Sequence, residues 1–266
     1  MLFAASGLIG CAVAATDGRV GAVKDFLFDD RSWRIRWMVV DTGHWLPGRK
    51  VLIHPSAIGP LALPPKPAIP MLSFGGESMT LPVNLTKRQI EASPDAREDE
   101  PVTEQMEQGL YDYYGWDPYW GAAHFGAEAI VARPTGEPLP AEVAEERAAD
   151  HEAPRGDPHL GSAAALKGYS IYAVDDDIGA VDNVLIDDVR WAVRYFIVDT
   201  GHWLPGKLVQ LAPHAVVDID WVERRINVNV TREQVNSAPA WDPLAIIDAI
   251  SEQRLHRHFG WPGPAA

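Results

Sequence analysis

The sequence is poor in the residues on which covalently stapled, membrane-spanning and nucleic-acid-binding proteins depend. Cys11 is the one cysteine in 266 residues, which excludes an internal disulfide and makes a reducing, cytoplasmic setting the natural expectation. No stretch stays apolar long enough to span a bilayer. Basic residues number 23 against 37 acidic ones, and the formal charge of −14 produces a field that repels phosphate backbones and anionic headgroups. Nucleic acid is thereby disfavoured as a partner. The segment Leu8-Ile9-Gly10-Cys11 has the shape of a lipoprotein cleavage box. However, Met1 to Gly10 carries no basic residue, and its apolar part is short. We therefore expect Leu8 to Ala15 to form the first strand of a domain.

What the chain does contain is a duplication. Val40-Asp41-Thr42-Gly43-His44-Trp45-Leu46-Pro47-Gly48 returns unchanged as Val198-Asp199-Thr200-Gly201-His202-Trp203-Leu204-Pro205-Gly206. In the same register Leu8, Gly10, Ala15, Asp17, Gly21 and Trp33 match Leu166, Gly168, Ala173, Asp175, Gly179 and Trp191. Past Ile58 the first copy has an extra Pro-rich stretch, after which Thr86, Gln89, Leu110, Gly115 and Trp116 answer Thr231, Gln234, Leu255, Gly260 and Trp261. A repeat of this length implies two structural units. We divide the chain into a first domain with an aromatic tail over residues 1–121, an acidic Pro/Ala-rich linker over 122–160, and a second domain over 161–266.

Within a copy, Cys11 to Ala15, Val20 to Phe28, Ile35 to Val40, Lys50 to Ile53 and Thr80 to Val83 are short and rich in β-branched and aromatic residues. Turn signals such as Asp17-Gly18, Asp29-Asp30 and Pro47-Gly48 separate them. Thr86-x-x-Gln89 has the spacing of a capping box. A second helix is expected from Thr103 to Tyr114 with Met106, Leu110 and Tyr114 on one face, and its counterpart is expected to start at Asp242-Pro243. The fold class is therefore mainly β: two small β-barrels in tandem, each with one or two short C-terminal helices.

The string Leu8-Ile9-Gly10, Asp17-Gly18-Arg19-Val20-Gly21-Ala22-Val23, Leu27-Phe28-Asp29-Asp30 and Val40 to Gly48 resembles the PRC-barrel domain, and the resemblance covers most of both copies. It is similar in particular to two-copy bacterial members whose copies end in an aromatic tail, here Tyr113-Tyr114-Gly115-Trp116-Asp117-Pro118-Tyr119-Trp120. The second copy departs, with Asp176-Asp177 in place of the glycine turn and His258-Phe259-Gly260-Trp261 in the tail. The resemblance implies docking without catalysis. The reaction-centre H subunit's cytoplasmic domain and the C-terminal domain of the ribosome-maturation factor RimM both use the barrel as a docking surface.

Candidate sites follow from this reading. His44, Trp45, His202 and Trp203 can present aromatic anchors and polar handles to a partner, and Tyr113, Tyr114 and Trp116 can form a protein-binding strip. Asp41, Gly43, Pro47 and Gly48, with Asp199, Gly201, Pro205 and Gly206, read as loop-shaping residues: carboxylates accept from the loop's own amides and glycines supply unusual backbone angles. Trp45 could equally plug the barrel end. The nine histidines do not cluster at ligand spacing, so no metal and no cofactor is expected. His54 is replaced by Ala212 in the second copy, and His256 and His258 read as solvated or helix-end residues. Asp29-Asp30 and Asp187-Asp188 are paired carboxylates on a hairpin turn with no partner base, so no catalytic residue is assigned.

The expected function is a non-catalytic cytoplasmic scaffold or adaptor that binds a protein or a membrane-complex surface, with a link to reaction-centre-type assemblies and homo-oligomerisation both open. One alternative is a ribosome- or RNA-associated factor using a stripe of Arg31, Arg34 and Arg36, two of whose charges are lost at Val189 and Ala192. The other is a small-molecule or proton-handling module, which requires a pocket with converging polar groups.

Overall fold

The computed structural model describes residues 1–47, 49–61, 79–94, 102–116, 156–201, 203, 205–243 and 247–263. The first unit contains β1 (Leu2–Ala4), α1 (Ala5–Leu8), β2 (Ala12–Ala15), β3 (Gly18–Asp29), β4 (Ile35–Asp41), β5 (Val51–Ile53), β6 (Thr80–Pro82), α2 (Lys87–Glu91) and α3 (Glu104–Tyr114). The second contains β7 (Leu160–Ser162), β8 (Ser170–Tyr172), β9 (Asp177–Asp187), β10 (Ala192–Asp199), β11 (Leu208–Leu211), β12 (Val216–Asp220), β13 (Arg225–Val228), α4 (Arg232–Ser237) and α5 (Ala249–Phe259). The fold is mainly β, as expected, built on two sheets ordered β5-β4-β3-β2-β6 and β11-β10-β9-β8-β13-β12.

The long hairpin in each sheet follows from strand periodicity. Along β4 six successive residues are buried, which requires cover on both faces. Ile35, Met38 and Val40 face one core, while Trp37 and Val39 face a second, smaller core closed by Leu52, Leu110 and Tyr111. Helix α3 is what covers the outer face. Its start is set by Thr103, whose Oγ1 accepts from Met106 N at 3.3 Å, and its end by Gly115 at φ 67°. Both short helices α2 and α4 begin in complete capping boxes, Thr86 with Gln89 and Thr231 with Gln234.

Four local expectations are corrected. Leu8 closes helix α1, so the strand of that segment is Ala12–Ala15, and a strand unseen in the sequence, Leu2–Ala4, precedes it. Helix α5 starts at Ala249 behind Asp248, which accepts from Ser251 N at 2.8 Å; Asp242-Pro243 is not its cap. The buried face of α3 carries Glu107, Leu110 and Tyr111, while Met106 and Tyr114 are half-buried. His256 is buried, with 4% of its surface exposed, and is not solvated.

The two units exchange their first strands. β1 pairs antiparallel with β9 of the second unit, Leu2 against Asp187, and β7 pairs with β3 of the first, Leu160 against Asp29. On the edge of β3 opposite β4, the first half bonds β2 and the last three residues bond β7; β9 repeats this with β8 and β1. Most of 122–160 lies outside the described residues, and Leu160 belongs to β7.

The exchange is centred on an antiparallel bridge between Arg34 and Ala192. Either side of it, Ile35 N donates to Trp191 O and Val193 N to Trp33 O, both at 2.7 Å. Trp33 and Trp191 occupy the left-handed region at φ 61° and 47°, which costs about 1–2 kcal/mol for an L-residue. Each indole reaches across to the other unit, Trp33 edge-on to Phe196 and Trp191 stacked on Phe26. Burial of an aromatic side chain contributes about 1.5–3 kcal/mol, enough to hold that backbone. One apolar cluster accordingly runs through both units.

Candidate functional site

The repeated loops leave the sheets where β3 and β4, or β9 and β10, come closest. A Cβ on Gly21 would stand 2.0 Å from the carbonyl oxygen of Asp41, and one on Gly179 at 2.0 Å from that of Asp199. Only glycine lets the hairpin close there. Beyond it, Asp41 Oδ1 accepts from Gly43 N at 2.8 Å and Asp199 Oδ1 from Gly201 N at 2.9 Å. Gly43 and Gly201 are left-handed at φ 60° and 61°, and Gly206 at φ 77°. Below the turn, the Thr42 hydroxyl donates to Leu46 O and the buried Thr200 hydroxyl to Lys207 O.

Within this frame His44 is exposed and Trp45 half-buried, with the Lys87 ammonium 5.5 Å from its ring. Trp203 is half-buried too; its Nε1 donates to Ile178 O at 3.2 Å, and the Arg232 guanidinium lies 4.5 Å over its ring. The half-burial of both tryptophans makes them neither full plugs nor free anchors. Pro47 and Pro205 are exposed. Gly48, His202 and Leu204 lie outside the described residues.

The aromatic tail folds back onto its own unit. Tyr114 stacks on Trp116 at 4.1 Å, and Trp116 packs against Trp37 and His54. Tyr113 is exposed, its hydroxyl donating to Gln89 O at 3.0 Å. Phe259 and Trp261 repeat the stack at 4.3 Å in the second unit. Residues 117–120 of the tail lie outside the described set. His54, enclosed by Trp37, Tyr111 and Trp116, accepts through Nδ1 from Ser56 N, and burial lowers its pKa to about 4.

Sequence reasoning missed the polar network beneath that tail. Arg36 was one of three arginines in a possible basic stripe; it is buried, and its Nε and Nη2 donate to Glu107, whose Oε1 also accepts from Trp37 Nε1. Arg36 Nη1 donates to Asp157 Oδ2 at 2.6 Å and lies 3.6 Å from Asp29 Oδ2. Burial pushes the Glu107 carboxyl up against the pull of Arg36. Burial also acts upward on Asp157, but bonds from His159 N and Arg36 outweigh it and hold that carboxyl low. In the second unit Arg194 Nε lies 3.4 Å from Glu252 Oε1, which accepts from the Tyr195 hydroxyl at 2.9 Å. The available signal was recurrence: Arg36 and Glu107 match Arg194 and Glu252 in the registers of their segments.

Asp29 and Asp187 spend their carboxylates on their own turns, accepting from the amides of Arg31 and Ser32 and of Val189 and Arg190. Asp30 accepts from His159, the residue before the exchanged strand β7, ring nitrogen to carboxylate at 3.0 Å. A groove of about 690 Å³ opens at the junction of the units, lined by Arg34, His54, Asp188, Arg190 and Trp191 among others. Its lining carries charges of both signs, Arg34 and Arg190 with Asp188. No helix of the described residues is long and apolar enough to cross a membrane.

Residues 1–58 match the family model of the PRC-barrel domain, a segment that carries β1 to β5 and the first of the two loops. No curated protein matches the chain. Over β1 to β5, then, the first unit is similar to the PRC-barrel domain family.

Proposed function

We propose that the chain is a non-catalytic two-unit adaptor that binds a protein or membrane-complex surface through its Asp-Thr-Gly-His-Trp-Leu-Pro-Gly loops, in a cytoplasmic setting. The observation that carries this reading is where the loops stand. β4 and β10 run in opposite directions from the Arg34–Ala192 bridge, seven residues to Asp41 and to Asp199. At about 3.3 Å per residue this puts the loops on the order of 40 Å apart, at opposite ends of one shared core. Two loops of identical sequence so placed cannot close on one small ligand; they suit two partner copies, or two points on a large surface. The withdrawal of Arg36 into the interior counts against the RNA-binding alternative.

The test is recovery of partners by the tagged full chain compared with His44→Ala, His202→Ala and the double variant. Each single variant is expected to keep partner binding at reduced avidity, and the double variant to lose it. Undiminished recovery by the double variant would move the binding surface to Tyr113 and the tail.

A further inference from the structure

We infer that Glu252, Tyr195 and His256 hold one shared proton that fastens α5 to the second sheet, so that docking of this helix weakens as pH rises above neutral in the second unit and not in the first. The inference comes from counting donors along a chain of three contacts. His256 Nδ1 faces the carbonyl oxygen of Pro262 at 2.5 Å; a carbonyl only accepts, so Nδ1 carries a hydrogen. His256 Nε2 stands 2.8 Å from the Tyr195 hydroxyl, which stands 2.9 Å from Glu252 Oε1. The phenol has one hydrogen for these two contacts, and burial, together with the Glu252 carboxylate, raises its pKa and keeps that hydrogen on it.

If the phenol donates to Glu252, Nε2 must donate to the phenol oxygen and the ring is an imidazolium. If the phenol donates to Nε2, the carboxyl must itself be protonated to bond it. Both assignments hold one proton more than a carboxylate, a phenol and a neutral imidazole. Arg194 Nε, 3.4 Å from the same carboxylate oxygen, favours an ionised Glu252. The shared proton is therefore assigned to His256 Nε2, between the ring and the phenol oxygen.

The groups facing the ring from elsewhere do not supply an alternative. His214 lies edge-on at 6.4 Å, Trp261 edge-on at 5.7 Å, and His258 turns away to Gln234 O at 2.8 Å. The one permanent cation at the network, Arg194, faces Glu252 and the Tyr195 hydroxyl. Loss of the shared proton leaves two acceptors facing each other in a buried site. That arrangement is costly. The matching positions of the first unit differ: Trp37 Nε1 can only donate to Glu107, and Tyr111 stands where His256 does. Because the docked state binds more protons than the undocked one, docking is complete at low pH and weakens as pH rises.

The test is hydrogen exchange on the full chain, corrected for intrinsic rates, with α3 as the internal reference. Protection of α5 relative to α3 is expected to fall from pH 7 to 9, where His54 is neutral in either state of the first unit, approaching tenfold per pH unit for one proton. His256→Tyr and Tyr195→Phe should each remove the slope. Parallel behaviour of α5 and α3 across that range, or a slope that survives in either variant, overturns the inference. Should neither variant fold, ¹⁵N shifts of the wild-type ring decide: both nitrogens protonated at pH 6 support it, and a neutral ring at pH 6 sinks it.

Discussion

Replacing Arg36 by Met should destabilise the first unit far more than removing any one of the acids around it. The guanidinium is 2% exposed and serves Glu107, Asp157 and Asp29, three carboxylates on one cation. Removal of the cation leaves Glu107, fully buried, and Asp157 without a counter-charge. Breaking a buried pair in this way costs about 3–5 kcal/mol. Glu107→Gln leaves Arg36 with two carboxylates and should cost only about 1–2 kcal/mol. Arg36→Met combined with Glu107→Leu should recover most of the loss, because no charge is then stranded at the helix. Arg194→Met provides the comparison. Arg194 is 17% exposed and lies a long 3.4 Å from Glu252, so its loss should cost less, about 1–1.5 kcal/mol. Urea unfolding followed by circular dichroism measures all four. The reasoning fails if Arg194→Met is as costly as Arg36→Met, or if Glu107→Gln is.

Lowering pH should weaken the first unit through His54, whose pKa is lowered to about 4 by burial. A depressed folded value means that its stabilisation is present above the unfolded value of about 6.5 and is lost as pH falls towards 4, a loss of up to about 2 kcal/mol after allowance for partial solvent exposure. Thermal melts from pH 7 to 4 should show this, and His54→Ala, the residue type of Ala212, should flatten the profile. Gly21→Ala and Gly179→Ala should each cost about 1–3 kcal/mol by overpacking against a fixed carbonyl. Gly43→Ala, with nothing within 4 Å of its Cβ position, should cost about 1 kcal/mol from its left-handed backbone alone; equal melting temperatures for Gly21→Ala and Gly43→Ala would show that the hairpin can open. His44→Ala should change stability by less than about 0.5 kcal/mol, as for an exposed side chain.

Features made by neighbours in the chain were legible in the sequence. The Thr86/Gln89 box, the start of α3 at Thr103, and the Asp41-to-Gly43 turn each rest on hydrogen bonds between residues two or three apart, so residue type and spacing specify them. The mainly-β class and the Asp29 turn were legible for the same reason. The tertiary structure alone decided which strand pairs with which. Leu2-Phe3-Ala4 has no pattern that names Leu185, Ile186 and Asp187 as its partners, and the exchange depends on two tryptophans accepting a strained backbone to reach the opposite unit. It also decided the face of α3. Apolar spacing alone pointed to Met106 and Tyr114, but Arg36, buried on β4, required a carboxylate opposite it and turned Glu107 inward. A buried charge outranks an apolar stripe because leaving it unpaired costs more than exposing part of a methionine or tyrosine.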